Sequence, residues 1–470
     1  MRVQSTILAL VAPLVALSWS TTADAKPRKR AKTPDVQRTA EELMGRALGR
    51  SEAYDELGEL CDTIGARISG SPELERAVQW SAAQMRSDGL EVSLEPVDVP
   101  RWIRGQESGT VTAPRVEDVD ILALGNSVGT GGEPLEADVL VVSSFAELTE
   151  RAEEAKGKWI LYDVPFTTYG ETVQYRSRGA SAAAAVGGVG AMVRSVSPVS
   201  LDTPHTGALR YSDEQAKLPA VAVPLETATW LHRLQDRGVT PRFRYTSEAR
   251  FEADAPSHNV VGQITGRTHP DEVIVLGCHL DSWDVGQGAQ DDGAGCVTVM
   301  EAGALLAELP FAPARTVRVV LYTNEENGLR GGRAYAAAHE GETIIAALED
   351  DTGSGAPQGF RVDVRNTDGE RDTAGTAAMV EALSAWTPHL SAVGSGRFFE
   401  GYSGADIGPI IDADTVGFGL DHDMTGYWPI HHTDADTFEK VDPELVRRNV
   451  AATTVFAWLL AEQGLPEVSP

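Results

Sequence analysis

Between residues 255 and 350 the chain alternates two hydrophobic textures. The runs 273–278 (Val-Ile-Val-Leu-Gly-Cys) and 317–322 (Val-Arg-Val-Val-Leu-Tyr) are short, apolar and β-branched, and predict strands. The stretches 293–308 and 332–339 carry helical periodicity, and a third strand-like run covers 343–348. Strands alternating with helices in this way build a mostly parallel sheet covered on both faces. Upstream, Ser71-Pro72 followed by Glu75, Val78, Ser81 and Met85 predicts a capped amphipathic helix to about residue 88, and the alternation over 92–97 predicts a strand. From Ala137 the texture shortens. Apolar runs at 139–142 and 159–162 surround a helix-like 145–155. An Ala/Gly-rich stretch, 179–190, then leads to strands at 191–193 and 218–223 and a helix-like 226–237. This middle region reads as a small α/β unit inserted into a larger one, with few candidate catalytic side chains. No internal repeat is present.

The length of 470 residues fits two domains. The first 25 residues read as an export signal: Arg2 opens it, 7–19 is a short apolar run, and Ala23-Asp24-Ala25 offers small residues for cleavage. A periplasmic or secreted protein is expected. The basic tract 26–32 reads as a disordered tail, since nothing aromatic or basic continues it. No later run is apolar enough to span a membrane. With 40 Lys+Arg against 69 Asp+Glu the net charge is −29, which argues against a nucleic-acid partner or an anionic membrane surface. Cys61, Cys278 and Cys296 are too few for a disulfide-stapled scaffold, and their odd number favours buried thiols for Cys278 and Cys296.

The chemistry gathers where the strands end, which is where open α/β sheets bind their ligands. The first strand of the series runs out in His279-Leu280-Asp281, and Asp291-Asp292-Gly293 opens the next helix. The following strands run out in Thr323-Asn324-Glu325-Glu326 and in Glu349-Asp350-Asp351, and His431-His432-Thr433-Asp434-Ala435-Asp436 lies near the C-terminus. Any one of these residues is most simply a solvated loop acid or a satisfied core histidine. Three strand ends, a helix start and a segment near the C-terminus each bearing a carboxylate or imidazole are another matter, because converging carboxylates repel one another and resist ionisation. A divalent cation removes that conflict and two remove it better; His and carboxylate donors without a Cys pair suit zinc in a hydrolytic site. The neighbours Glu325 and Glu326 can take different tasks, one on metal and one moving protons.

The segments HLDSWDVGQGAQDDGAG, TNEENG and HHTDADT closely resemble the carboxypeptidase Q branch of the aminopeptidase-Y-like dizinc exopeptidases. GARISGSPELERAVQW and GLEVSLEPVDVPRWIRGQES resemble the same branch, and GKWILYD and LPAVAVP resemble its protease-associated insert, so the likeness spans nearly the whole mature chain. It implies a three-layer αβα zinc-exopeptidase fold with a mostly parallel sheet. The implied divisions are 1–25 signal, 26–35 basic tail, 36–130 first part of the peptidase domain, 131–250 protease-associated insert and 251–470 main part of the peptidase domain. It implies two zinc ions per subunit: His279 and Asp351 on one, Glu326 and His432 on the other, and Asp291 bridging them. Glu325 becomes the general base and Asp281 orients the His279 imidazole. The H-T-x-x-D spacing selects His432 over His431, and the register of EDDTGS selects Asp351 over Asp350. The substrates implied are short peptides, probed best as dipeptides, and the branch is typically homodimeric.

Competing chemistries are weaker. Gly125-Asn126-Ser127-Val128-Gly129 has the G-x-S-x-G pattern of a serine hydrolase and follows a strand-like 119–124, but a turn, not a helix, comes next. His339-Glu340-Gly341-Glu342-Thr343 lacks the second histidine of a gluzincin, and 179–190 lacks the G-K-[ST] of a phosphate loop. Gly401–Asp406 and Tyr427-Trp428 read equally as pocket lining and as turn or core residues. Two other functions stay open: an aminopeptidase of the same fold, and a non-catalytic binding relative, which would be expected to have lost ligands.

Overall fold

The computed structural model describes residues 34–199 and 201–468; the segment expected to be an export signal, 1–25, and most of the expected basic tail, 26–35, lie outside them. Two eight-stranded sheets dominate these residues. The larger runs in the order Glu91–Val99, Ala255–Ile264, Arg315–Tyr322, His269–His279, Thr343–Glu349, Val416–His422, Pro357–Asp363 and Phe398–Glu400. Its centre, from Arg315–Tyr322 through Val416–His422, is parallel, and both flanks carry antiparallel pairs.

The strands are apolar along their length because both faces are covered. On His269–His279, Ile274, Leu276 and Cys278 join one hydrophobic cluster with the helices Ala294–Ala307 and Pro443–Gln463. Val273 and Val275 join another with Tyr335 of the helix Arg330–Ala338. This is the period-2 alternation of a strand between two layers. The helix expected from Ser71-Pro72 is present as Pro72–Ser87, with the Ser71 side chain accepting from the Leu74 amide.

The second sheet is ordered Glu117–Val119, Glu107–Ala113, Arg242–Ser247, Leu135–Val142, Trp159–Tyr162, Gly190–Arg194, Ala220–Val223 and Leu122–Ala123. It takes strands from 107–123, residues that the sequence pattern assigned to the first peptidase segment. Glu107–Ala113 pairs with Arg242–Ser247, a long-range partner that no local pattern announces. The Ala/Gly-rich stretch 179–190 serves close packing. The helix Tyr169–Ala185 occupies its first half, and Gly179 is needed there because a Cβ would lie 2.8 Å from the Tyr162 ring.

Cys278 and Cys296 are not the free thiols expected but a disulfide, with Cα atoms 5.1 Å apart. Cys278 points to the face on which the helix Ala294–Ala307 begins, which sets Cys296 of its first turn opposite. Cys61 is the odd cysteine, buried and free. The G-x-S-x-G segment forms no nucleophile elbow. Ser127 is buried, and Gly125 is a packing residue, since a Cβ there would sit 1.9 Å from the Trp283 ring. His339 is held by Glu95 and Glu342 at 2.9 Å each. No helix among the described residues is long and apolar enough to cross a membrane.

Candidate metal centre

Each acidic or imidazole group of the site leaves the C-terminal rim of the large sheet or a loop folded onto it. His279 ends its strand, and its Nδ1 lies 2.9 Å from the Asp281 carbonyl oxygen, so Nε2 faces the site. That Nε2 is 3.2 Å from Asp291 Oδ1 and 3.3 Å from Asp351 Oδ1. On the other side, His432 Nε2 is 3.1 Å from both Asp291 Oδ2 and Glu326 Oε2. Asp291 thus stands between the two imidazoles, one oxygen towards each. The five residues His279, Asp291, Glu326, Asp351 and His432 converge, and Glu325 lines the same cavity.

Two pairs of neighbours point in different directions. Asp351 reaches His279, whereas Asp350 is turned into the protein, 3.7 Å from His422 Nε2. His432 meets Asp291 and Glu326, whereas the His431 ring stacks on it at 3.6 Å and comes no nearer than 3.5 Å to Asp291. Asp281 lies beside the His279 ring. Its main-chain carbonyl, not its carboxylate, meets the His279 imidazole. The carboxylate accepts from the amides of Glu325 and Glu326 at 3.0 and 3.4 Å and from the Ser69 hydroxyl at 3.1 Å. A buried carboxylate surrounded by three donors is satisfied there, and it sets the backbone of both glutamates.

The electrostatics express the crowding. Burial pushes the Glu325 carboxyl well above its ordinary range, with Asp351, Glu326 and Asp281 adding to it. Burial and Asp291 push Glu326 up to about 7. Against the opposing effect of burial, Glu326 and Asp291 raise His432 to about 10, and Asp351 and Asp291 raise His279. Asp291 itself is held well below the usual carboxylate range, burial notwithstanding, by His279 and His432. Asp291 Oδ2 and Glu326 Oε1 are buried without a hydrogen-bond donor. Three carboxylates and two imidazoles with such orphaned oxygens form a donor set suited to zinc.

The sequence pattern assigned no role to several supporting residues. Arg67, fully buried, donates to the carbonyls of Leu280, Gln287 and Gly288, and so staples the loop between His279 and Asp291. Its only signal was its place in the GARISGSP segment. Asp436 accepts from the amides of Gln290 and Asp291 at 2.7 and 3.1 Å and fixes the approach of Asp291. Asp436→Ala leaves two buried amides unpaired; zinc affinity measured by chelator competition is expected to fall about 10–100-fold. Unchanged affinity would show that Asp436 does not position Asp291. The His432 ring is held from the second sheet's side: its Nδ1 lies 3.3 Å from the Thr206 carbonyl and 3.3 Å from Arg176 Nη1, and its own carbonyl accepts from the Thr206 amide at 3.0 Å.

The site opens into a cavity of about 820 Å³. Tyr169 and Trp428 stack at 5.0 Å on one wall, and Tyr402 and Ala405 of the Gly401–Asp406 segment lie along the cavity as well.

The chain resembles known proteins over most of its length. A family model described as "Peptidase family M28" matches residues 259–457. Carboxypeptidase Q of Xenopus laevis is 37% identical over 437 residues, covering 92% of this chain and 91% of that protein. The crystal structure of a peptidase M28 precursor from Shewanella amazonensis superposes with a TM-score of 0.84 at 32% identity, covering 93% of this chain and 99% of that one. A zinc aminopeptidase from Bacillus subtilis shares the fold at a TM-score of 0.63 and 21% identity, covering 88% of this chain and 96% of that one.

Proposed function

Because this chain belongs to peptidase family M28, in its carboxypeptidase Q branch, we propose that it releases terminal residues from short peptides, dipeptides foremost, with two zinc ions per subunit. It is a zinc-dependent exopeptidase. The observation that carries the finer reading is the position of Asp291, with one carboxylate oxygen towards His279 and the other towards His432. His279, Asp351 and Asp291 would hold one ion; Glu326, His432 and Asp291 would hold the other. When bound, zinc supplies a Lewis acid for the scissile carbonyl and lowers the pKa of a coordinated water.

The remaining work falls to side chains of this chain. Glu325 takes the proton of the attacking water and returns it to the departing amine. It is suited to this because Asp281 pins its amide while no hydrogen bond among the described residues ties its carboxylate down. Its burial keeps the proton affinity high enough to act as a shuttle. Asp281 and Thr206 carbonyls orient the two imidazoles so that each Nε2 faces the cations. Tyr169 and Trp428 form an apolar wall that displaces water from the bound peptide.

The same reading takes 1–25 as an export signal, with the mature enzyme periplasmic or secreted, and the second sheet as a protease-associated insert. It also takes the functional form to be a homodimer, as in the branch. The test combines zinc analysis of the purified protein with hydrolysis of a dipeptide panel before and after chelation. Two zinc ions per chain and activity that disappears with chelator and returns with zinc are expected. Turnover that survives complete metal removal would sink the proposal. Hydrolysis of carboxyl-blocked but not amino-blocked peptides would point instead to an aminopeptidase.

A further inference from the structure

We propose that the Gln290 side chain is a positioning tie: it sets the spacing between the bridging Asp291 and Asp351, and so governs the affinity of the ion held by His279 and Asp351 but not that of the other. The tie rests on the two-zinc reading and adds a residue that treats the two ions unequally.

The five ligands are not held alike. His279 ends a strand, the Glu326 amide is bound by Asp281, and His432 is fixed by Thr206 at both its Nδ1 and its carbonyl. Asp351 lies past the end of the strand Thr343–Glu349, and its side chain is the most exposed of the five, at 25% against 6% or less. Further along the same turn, the Ser354 amide and hydroxyl both donate to Gln290 Oε1, at 2.6 and 3.1 Å. Among the described residues these are the only hydrogen bonds that join segments 287–293 and 351–356. Gln290 Nε2 donates to the Lys440 carbonyl at 3.1 Å, so this buried amide is engaged at both ends.

The turn after Asp351 is fitted to the contact. Gly353 has a φ of +75°, and a Cβ there would sit 2.6 Å from Gln290 Oε1 and 2.7 Å from the Tyr427 ring. The chain therefore threads between Gln290 and a residue of the cavity wall. Asp291 does not depend on the side chain of its neighbour. The amides of residues 290 and 291 both donate to Asp436, and a substitution at position 290 leaves those main-chain bonds in place. Loss of the Gln290 side chain thus frees Asp351 while the bridge and His432 stay where they are. An ion that must draw in one of its ligands on binding is held less tightly than one whose ligands are already placed.

The experiment measures zinc affinity by chelator competition in two backgrounds: His432→Ala, which leaves the His279/Asp351 ion, and Asp351→Ala, which leaves the other. Gln290→Met keeps the length of the side chain and removes its amide. It is expected to weaken the remaining ion about 10–100-fold in the first background and to leave it unchanged in the second. In the otherwise wild-type protein it is expected to lower kcat at limiting zinc, with kcat returning in excess zinc and KM unchanged. Ser354→Ala removes one of the two bonds to Gln290 and is the milder change; a roughly 2–10-fold loss in the first background only is expected, and it decides the matter if Gln290→Met does not fold. No loss in the first background, equal losses in both, or a loss confined to the second would each overturn the tie. A lower melting temperature of the metal-free protein with zinc affinity intact would overturn it as well, leaving Gln290 a merely structural residue. Wild-type protein that binds fewer than two zinc ions would instead overturn the two-zinc reading and the tie with it.

Discussion

Glu325→Gln is expected to keep the full zinc content of the wild type while kcat falls by roughly 10²–10⁴-fold. The two halves of this result have separate physical origins. Glu325 contacts neither imidazole at ion-pair distance, so its replacement removes no ligand from the five-residue cluster. The amide of residue 325 still donates to Asp281, so the backbone that carries Glu326 stays in place. What is lost is a carboxylate that can accept and release a proton within the cavity. Gln is nearly the same size and cannot do so. Steady-state kinetics paired with elemental analysis of the same preparation checks both halves. Near-normal kcat in a zinc-replete Gln variant would remove Glu325 from the proton-transfer role, and zinc loss would make it a ligand.

Asp291→Ala is expected to abolish activity and to bring zinc below one ion per chain. Asp291 faces both imidazoles and is counted in both proposed triads. Its removal leaves each ion with two protein ligands, one fewer than the three that open catalytic zinc sites use. By contrast, His432→Ala removes a ligand from one triad only, and should retain about one ion per chain. The comparison separates a bridging ligand from an ordinary one. Two zinc ions retained by Asp291→Ala would contradict the bridge, and equal losses in both variants would mean that the ions bind as one cooperative unit.

The local pattern of the chain carries much of this. A strand announces itself by a short β-branched run and ends at a definite residue, so the groups following 278, 322 and 348 are visible as strand-end chemistry. The helix Ala294–Ala307, the strand Arg315–Tyr322 and the helix Pro72–Ser87 fall within one or two residues of their expected positions. All are settled by neighbours close in sequence. The carboxypeptidase Q-like segments are legible for the same reason, being contiguous.

What the chain pattern leaves open is decided by contacts between distant segments. Arg67 reaches Leu280 across 213 positions and Thr206 reaches His432 across 226, and neither pairing leaves a periodicity to read. The disulfide between Cys278 and Cys296, the carboxylate of Asp281 turned to the glutamate amides, and the entry of Glu107–Ala113 into the second sheet are of this kind. Residue types and strand ends come from local backbone preference and apolar spacing, so the sequence alone determined which groups could meet. Direction in space comes from packing two sheets and their helices together. Only the tertiary structure therefore decided that the Asp281 carboxylate turns to the amides of both glutamates, and that Cys278 and Cys296 pair.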